Sequence, residues 1–230
     1  MPAATTDSRA RILEAAETLF ARHGFAATSI KTIGAASRRN TALIHYYFES
    51  KEQLYKEVLR HAISQVIAGV GGAVAAEDDP ERAVRAFVRA QLAMLRAKPH
   101  LLQLMVREMS DSGAAHAEAE IHTLGATLFR RLCGLIEAGQ RAGTFRADAD
   151  PRFTAISLVA QMNWLFLARP AVGVLLGRGL GQVTDADLNA FAEHAADLVI
   201  GGLRAPPPAG RRLVPGKHSA TARRASRRAS

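Results

Sequence analysis

The chain has 230 residues, of which 48% are apolar and 22% are charged, a composition typical of a globular protein with a substantial core. Its single cysteine, Cys133, excludes an intramolecular disulfide framework and favours a reducing, cytoplasmic environment. The first residues lack the apolar stretch of a secretory signal. The uncharged run at 153–168 is 16 residues long, shorter than the roughly 20 that cross a bilayer, so we expect no membrane segment.

Basic residues exceed acidic ones by 30 to 21, and the excess of +9 is unevenly distributed. Residues 1–51 carry +3, residues 52–203 carry −2, and residues 204–230 carry +8 with no acidic side chain. A basic excess suggests a polyanionic partner such as nucleic acid. The segment 204–230 follows a proline run and is rich in Arg, Ala and Ser, so we predict a disordered tail. This tail either keeps the chain in solution or attracts phosphates without specificity.

Helical periodicity recurs along the chain, whereas the alternation of strands is scarce, so the sequence predicts an all-α fold. A first helix is expected to end at Gly24, and two short helices follow, with Thr28 or Ser29 capping the first and Asn40 the second. A longer helix begins after Ser50 and is expected to fail at the glycines of 69–72.

The second part of the chain divides into larger helical segments. Asp79-Pro80 and Asp150-Pro151 each combine a cap with a proline at the first helical position. We predict helices at about 80–98, from Pro99 onward, at about 115–140, at 151–168 and at 185–203, with a glycine-rich loop at 177–181 before the last. The predicted domains are therefore 1–51, 52–203 and the tail 204–230.

The two short helices between Ser29 and Phe48 carry the strongest local signal. Two helices joined by a tight turn are typical of a helix-turn-helix unit, whose second helix enters the major groove of DNA. Ile33, Ile44 and Phe48 are expected to face the core, which leaves hydroxyl, imidazole and small apolar side chains for base edges and thymine methyl groups. The predicted DNA-contacting residues, including the basic ones suited to phosphates, are Lys31, Arg38, Arg39, Thr41, Ala42, Leu43, His45, Tyr46, Tyr47 and Lys51.

Residues 12–58 resemble the DNA-binding signature of the TetR/AcrR family of transcriptional regulators. The resemblance rests on an apolar first helix ending in Gly24-Phe25, a short helix with a central Ile, and an aromatic-aromatic-Phe ending followed by Ser50-Lys51-Glu52. It implies a larger all-helical domain for ligand binding and dimerisation, in which two final helices form a four-helix interface with a partner chain. Phrases such as ALIHYYF also resemble a subgroup of the CecR type.

Two departures from the family pattern concern the DNA-binding unit. The family turn usually reads Gly-Val, and here it reads Arg38-Arg39, which places a Cβ where a left-handed residue is often needed, at a cost of about 1 kcal/mol. The two guanidinium groups can instead reach phosphates. A frequent tyrosine of the recognition helix is His45 here, so the contact of that tyrosine does not transfer unchanged.

The expected ligand-binding residues supply soft and aromatic surface suited to an apolar small molecule. They are Met105, Phe129, Cys133, Met162, Asn163, Trp164 and Phe166. The same residues at helical spacing also fit an ordinary core. Gln161 and Asn163 interrupt an uncharged helix, and they require partners either across a dimer seam or on a ligand.

Catalytic and metal signatures are not found in the sequence. His100, His116 and His122 lack the spacing of a metal site and are interpreted as exposed helix histidines, and no nucleotide, nucleophile-elbow or zincin motif occurs. We therefore expect no cofactor and no enzymatic activity.

Together these features predict a cytoplasmic, homodimeric DNA-binding regulator, a repressor released from a palindromic operator by a small apolar effector. The dimer would form through the helices at 151–168 and 185–203. A constitutive DNA-binding protein without an effector and an enzyme with a DNA-binding head are the alternatives.

Overall fold

The computed structural model describes residues 3–75 and 77–205. These residues form helices and no strand beyond one isolated bridge between Phe145 and Arg204, which confirms the all-α fold. Residues Gly125–Phe129 form a π-helical turn. The helices are α1 Ala3–Ala27, α2 Ile30–Ser37, α3 Thr41–Phe48, α4 Lys51–Ala75, α5 Pro80–Ala97, α6 Pro99–Ser112, α7 Glu118–Leu124, α8 Arg130–Arg141, α9 Pro151–Leu167, α10 Arg169–Leu175 and α11 Asp185–Leu203.

The junction between α1 and α2 follows the local signals. Gly24 leaves helical geometry at φ 81° and ψ 170°, a conformation that glycine adopts without steric cost, as the sequence predicted. The hydroxyl of Thr28 donates to the carbonyl of Gly24 at 2.8 Å. Ser29 is the N-cap of α2 and accepts from the backbone N–H of Thr32 at 3.1 Å. The cap therefore belongs to Ser29, and Thr28 instead holds the preceding turn together.

The prediction that the fourth helix fails at residues 69–72 was wrong. α4 continues to Ala75, and Val70 and Val74 are buried in the core of the larger helical body. Each glycine in a helix interior costs about 1 kcal/mol relative to alanine. The burial of the two valines against neighbouring helices offsets this cost, because fully burying one such side chain contributes about 1.5–3 kcal/mol.

The larger body departs from the sequence expectation in two other places. The helix expected at 115–140 is broken: residues 113–117 form a turn with positive φ at Gly113 and Ala114, and the π-helical turn interrupts the remainder. The short helix α10 was not predicted, and it packs against α9 ahead of the glycine-rich loop. Elsewhere α5, α9 and α11 begin within one residue of their predicted starts.

The buried apolar residues form two clusters, one around α1–α3 and one in the helical body. The first cluster includes Leu54, Val58 and Leu59 of α4 and Leu101 and Leu104 of α6. The core of the N-terminal unit therefore extends beyond residue 51 and is completed by two helices that also line the interior of the body.

Candidate nucleic-acid interface and ligand cavity

Helix α3 presents one face to the core and the other to solvent. Asn40 caps the helix by accepting from the backbone N–H of Leu43 at 2.7 Å. Ile44 and Phe48 are buried against the N-terminal core, as the sequence predicted. This arrangement fixes the rotation of the helix about its axis and so decides which side chains remain outside.

The outer face of α3 carries most of the predicted DNA-contacting residues. Thr41, Ala42, His45 and Tyr46 are exposed, and Tyr46 retains 78% of its accessible surface. Its ring meets that of Tyr47 edge to face at a centroid distance of 5.3 Å. Leu43 and Tyr47 of the same helix are half-buried. Lys31 is exposed but lies on α2.

The turn between α2 and α3 keeps the left-handed conformation even though glycine is absent. Arg38 adopts φ 54° and ψ 41°, and its backbone N–H donates to the carbonyl of Ala35 at 3.3 Å. Its side chain is exposed. Gly34, which the sequence analysis overlooked, allows the close approach of the turn: a Cβ on it would lie 2.9 Å from the carbonyl oxygen of Arg39.

Arg39 differs from Arg38 because its guanidinium group is held by α1. The Nε donates to the hydroxyl of Ser8 at 3.0 Å, and a terminal nitrogen lies 3.5 Å from a carboxylate oxygen of Asp7. The structure therefore assigns Arg39 to the α1–α2 packing and leaves Arg38 as the guanidinium available to a phosphate.

Lys51 is likewise placed differently from the expectation of a phosphate contact. Its Nζ donates to the carbonyl oxygens of Phe25 at 2.8 Å and Thr28 at 3.0 Å, and lies 4.3 Å from the centroid of the Phe25 ring. A cation at the end of a helix stabilises the carbonyl groups that lack partners there. Lys51 thus joins α4 to the end of α1 and is not free for DNA in this conformation.

A cavity of about 400 Å³ lies in the helical body among α4, α5, α6, the π-helical turn, α8 and α9. Its volume falls within the range of about 300–1,000 Å³ that is usual for small-molecule sites. Its lining residues are Ala62, Ile63, Val66, Val70, Phe87, Gln91, Met94, Leu95, Leu101, Leu102, Met105, Met109, Leu124, Leu128, Phe129, Leu132, Ile156, Val159, Ala160 and Asn163.

Three of the seven predicted ligand-binding residues, Met105, Phe129 and Asn163, lie in the cavity wall. The other four do not line this cavity, because the rotation of each helix is set by tertiary packing. Met162 is fully buried in the core and Trp164 is 65% exposed. The α9 residues that line the cavity are instead Ile156, Val159, Ala160 and Asn163. The remaining two pack at the edge of the core outside the lining, namely Cys133 and Phe166. Burial, with Glu137 and Asp150 nearby, raises the pKa of the Cys133 thiol.

Gln91 is the polar residue of the cavity wall that was not predicted from the sequence. It is 4% exposed and lies on α5 among buried apolar residues. Its Nε2 donates to the carbonyl of Val159 at 3.2 Å and to Oδ1 of Asn163 at 3.1 Å. The signal was present in the sequence, because Val84, Phe87 and Gln91 recur at helical spacing and a polar residue therefore falls within an apolar stripe.

Helix α6 connects the cavity wall to the DNA-binding unit. Arg107 donates to the backbone carbonyls of Ala21 at 2.8 Å and Arg22 at 2.9 Å, near the end of α1. Glu108 is buried and accepts from the hydroxyl of Tyr55 on α4 at 3.0 Å. Since Leu101, Leu102, Met105 and Met109 of the same helix line the cavity, displacement of α6 would be felt at α1 and α4.

Two of the three histidines interpreted as exposed instead pair with buried carboxylates. His100 Nε2 lies 2.5 Å from Oε1 of Glu17 on α1, and His116 Nδ1 lies 3.3 Å from Oε2 of Glu108. His122 is exposed, as predicted. Within residues 3–75 and 77–205, no three His, Cys, Asp or Glu side chains are grouped so that they could hold a metal ion.

An exposed apolar face runs along α9, which packs beside α11. Phe153, Ile156, Trp164 and Leu167 are exposed on α9, and Leu198 is exposed on α11. No single helix in the described part of the chain is long and apolar enough to cross a membrane; α9 and α10 meet that criterion together, as a pair bent by 85°.

Comparison with known proteins supplies two family matches. Residues 12–58 match the bacterial regulatory proteins of the tetR family, and residues 80–199 match the tetracyclin repressor-like C-terminal domain. The HTH-type transcriptional repressor SCO4008 of Streptomyces coelicolor is 31% identical over 177 residues, which cover 75% of this chain and 85% of the relative. The HTH-type transcriptional repressor KstR2 of Rhodococcus jostii is 27% identical over 199 residues, covering 86% and 92%.

Solved structures share the fold at lower sequence identity. The TetR family transcriptional regulator PfmR from Thermus thermophilus has a TM-score of 0.67 at 21% identity, covering 84% of this chain and 98% of that one. The ketosteroid transcriptional regulator KstR2 of Mycobacterium tuberculosis has a TM-score of 0.64 at 19% identity, with coverage of 86% and 95%. The family matches, the identity to SCO4008 and the helix-turn-helix geometry agree: the chain belongs to the TetR family and is a DNA-binding transcriptional regulator.

Proposed function

We propose that the protein is a homodimeric repressor that binds a palindromic operator through α3 and is released by a small apolar effector. One observation carries the DNA-binding role: Ile44 and Phe48 fix α3 to the core while Thr41, His45 and Tyr46 remain exposed on one outer face. Hydroxyl and imidazole groups on such a face can hydrogen-bond base edges in the major groove. Relatives named as transcriptional repressors support the direction of regulation.

The dimer would form through α9 and α11. The exposed apolar face defined by Phe153, Ile156, Trp164 and Leu167, with Leu198 beside it, supports this interface, because such a face is unfavourable in water and is typical of association surfaces. A two-fold axis through this face would place two copies of α3 on half-sites about 34–36 Å apart, or a multiple of that spacing. Gln161, half-buried with its amide on the Ser157 carbonyl at 3.3 Å, would lie near this seam.

The effector would bind in the 400 Å³ cavity, whose wall is almost entirely apolar. α4 and α6 contribute residues to the cavity and also pack against the N-terminal unit, so both are candidates for transmitting the signal. An effector releases DNA only if it binds more tightly to a conformation in which the two copies of α3 are wrongly spaced. A protein of this kind acts where its operator lies, and we infer a cytoplasmic location.

The experiment that tests this proposal begins with selection of bound fragments from the source genome, followed by gel-shift titration of the selected site. Tyr46→Ala is expected to abolish operator binding, because it removes an aromatic hydroxyl from the proposed DNA-reading face. Since Tyr46 is 78% exposed, the substitution should leave the core intact. The variant should keep the elution volume of the wild-type dimer and its melting temperature. Unchanged affinity for the selected site would refute the assignment of α3 as the reading helix.

The same selected fragment separates an effector-controlled repressor from a constitutive DNA-binding protein. Metabolite pools are screened for compounds that both raise the melting temperature and release the fragment. A compound with both effects supports the proposal. If compounds that raise the melting temperature leave the DNA complex intact, the constitutive alternative is favoured.

A further inference from the structure

The cavity wall contains one pair of polar side chains among apolar residues. Gln91 on α5 and Asn163 on α9 are the polar members of the lining, and the other eighteen lining residues are apolar. None of the lining residues is charged. A ligand charge buried there would lack a counter-charge, which is strongly unfavourable, so the wall selects against carboxylates and ammonium groups.

The orientation of the Gln91 amide follows from its partners. The carbonyl of Val159 can only accept a hydrogen bond, so the group of Gln91 that faces it at 3.2 Å must be the NH₂. Oδ1 of Asn163, at 3.1 Å, accepts from the same nitrogen. Reversal of the amide would place its oxygen against two acceptors. The assignment of nitrogen and oxygen is therefore determined by the network.

The oxygen of this amide, Oε1 of Gln91, is buried and accepts no hydrogen bond from any described residue. Buried polar atoms are nearly always paired, so an unpaired acceptor at a cavity wall requires an explanation. Gln91 is part of the cavity wall, so a donor on a bound ligand can supply the hydrogen bond that Oε1 lacks.

We propose that Gln91, positioned by Val159 and Asn163, is the polar anchor of the effector site, and that the effector is an uncharged, largely apolar molecule carrying one hydrogen-bond donor, such as a hydroxyl group. This inference rests on the proposed role of the cavity as an effector site.

The test uses the full chain and the uncharged fluorescent reporter N-phenyl-1-naphthylamine, displaced by three ten-carbon competitors. These are 1-decanol, its isomer methyl nonyl ether, which has no donor, and decanoate, which is charged at pH 7. We expect 1-decanol to compete at least about tenfold more tightly than either of the others, as expected for one buried hydrogen bond. This comparison uses wild-type protein and does not depend on a variant that folds.

The role of Gln91 as the polar anchor is tested with Gln91→Leu. Each inhibition constant of a competitor is corrected for the affinity of the variant for the reporter. The alcohol and the ether should then compete within about twofold of each other. Gln103→Leu makes the same chemical change at an exposed position of α6 and should keep the wild-type ratio. Melting temperatures of both variants confirm folding.

Each contrary outcome has a distinct meaning. Equal competition by alcohol and ether in the wild type, or tight binding of decanoate, would overturn the proposed ligand class while leaving the cavity as an effector site. If Gln91→Leu kept the wild-type ratio of the affinities for the alcohol and the ether, the assignment of Gln91 as the anchor would be wrong. If the reporter did not bind and none of the three competitors raised the melting temperature, both this inference and the proposed effector site would be overturned, and the DNA-binding result would stand independently.

Discussion

Arg38 provides a test in which fold stability and DNA affinity should change in opposite directions. It occupies the left-handed region at φ 54° and ψ 41°, where a residue with a Cβ is strained by roughly 1–2 kcal/mol. Arg38→Gly removes this strain. The substitution also gives the unfolded chain more freedom, which costs about 0.4–1 kcal/mol. The expected net gain in unfolding free energy is therefore about 0.5–1 kcal/mol.

The same substitution removes the guanidinium group that is available to phosphate in the α2–α3 turn. Each neutralised phosphate contributes about 0.9 to the slope of log affinity against log salt concentration. A homodimer carries two copies of the turn, so we expect the slope to become shallower by about 2. The neighbouring Arg39 would not compensate, because its guanidinium is bound to Ser8 and Asp7.

Thermal unfolding and salt titration of DNA binding check the two effects. For a chain of this size, 1 kcal/mol moves the melting temperature by about 2–4 °C, so a rise of about 1–4 °C is expected for Arg38→Gly. Arg38→Ala is the matched control, since it removes the charge and keeps the Cβ: it should lose the same slope and gain no comparable stability. Equal stabilisation by Ala and Gly would refute the strain argument, and an unchanged slope would refute the phosphate contact.

Three further predictions concern two glycines, the basic tail and Glu108. Gly34→Ala should lower the unfolding free energy by about 1–3 kcal/mol, because the new Cβ would lie 2.9 Å from the Arg39 carbonyl oxygen. Gly72→Ala should instead raise it by about 0.5–1 kcal/mol, because a Cβ on Gly72 would meet no neighbouring group within 4 Å. Calorimetry that found the same stability for both variants would contradict this. Truncation after Pro208 removes seven basic residues. If all of them contact phosphates, the slope of log affinity against log salt concentration for non-specific DNA binding should become shallower by about 6 per subunit, from about 0.9 per residue. The same slope in the truncated and full-length proteins would show that the tail does not contact DNA. Burial opposes ionisation of Glu108, but hydrogen bonds to its carboxylate from the His116 backbone and the Tyr55 hydroxyl help to hold the pKa of Glu108 below its usual value. The stability from this carboxylate is therefore present above the ordinary carboxyl range and is lost as pH falls through the lowered pKa, so Glu108→Gln should cost about 1–3 kcal/mol at pH 7 and progressively less in acid. Chemical denaturation at several pH values measures this difference, and a cost that does not change with pH would argue against the role of the charge.

One basic residue of the segment 204–230 is bound to the helical body. Arg204, the first of the eight basic residues in the segment 204–230, donates to both carboxylate oxygens of Glu81 at 2.8 Å. It therefore joins the end of α11 to α5. Residues 206–230, for which the sequence predicts disorder, lie outside the described part of the chain, and their role stays a prediction.

The sequence by itself determined the features that depend on local interactions. The caps Ser29, Asn40, Asp79 and Asp150 each satisfy backbone N–H groups within three residues of themselves, so their positions predict where helices begin. The inward face of α3 was also predictable, because it follows from the spacing of apolar residues within one helix. The fold class and the exposed outer face of α3 were predictable at this level.

Only the tertiary structure decided which partner each long or polar side chain meets. Arg39 and Lys51 were predicted to contact phosphate, but they bind α1, and α4 crosses residues 69–72 because Val70 and Val74 are buried by distant helices. The cavity wall is assembled from residues up to about a hundred positions apart, and its membership depends on the rotation of each helix. Periodicity gives the buried stripe of a helix but not which part of that stripe remains unfilled, and that distinction separates Gln91 and Asn163 from the core around them.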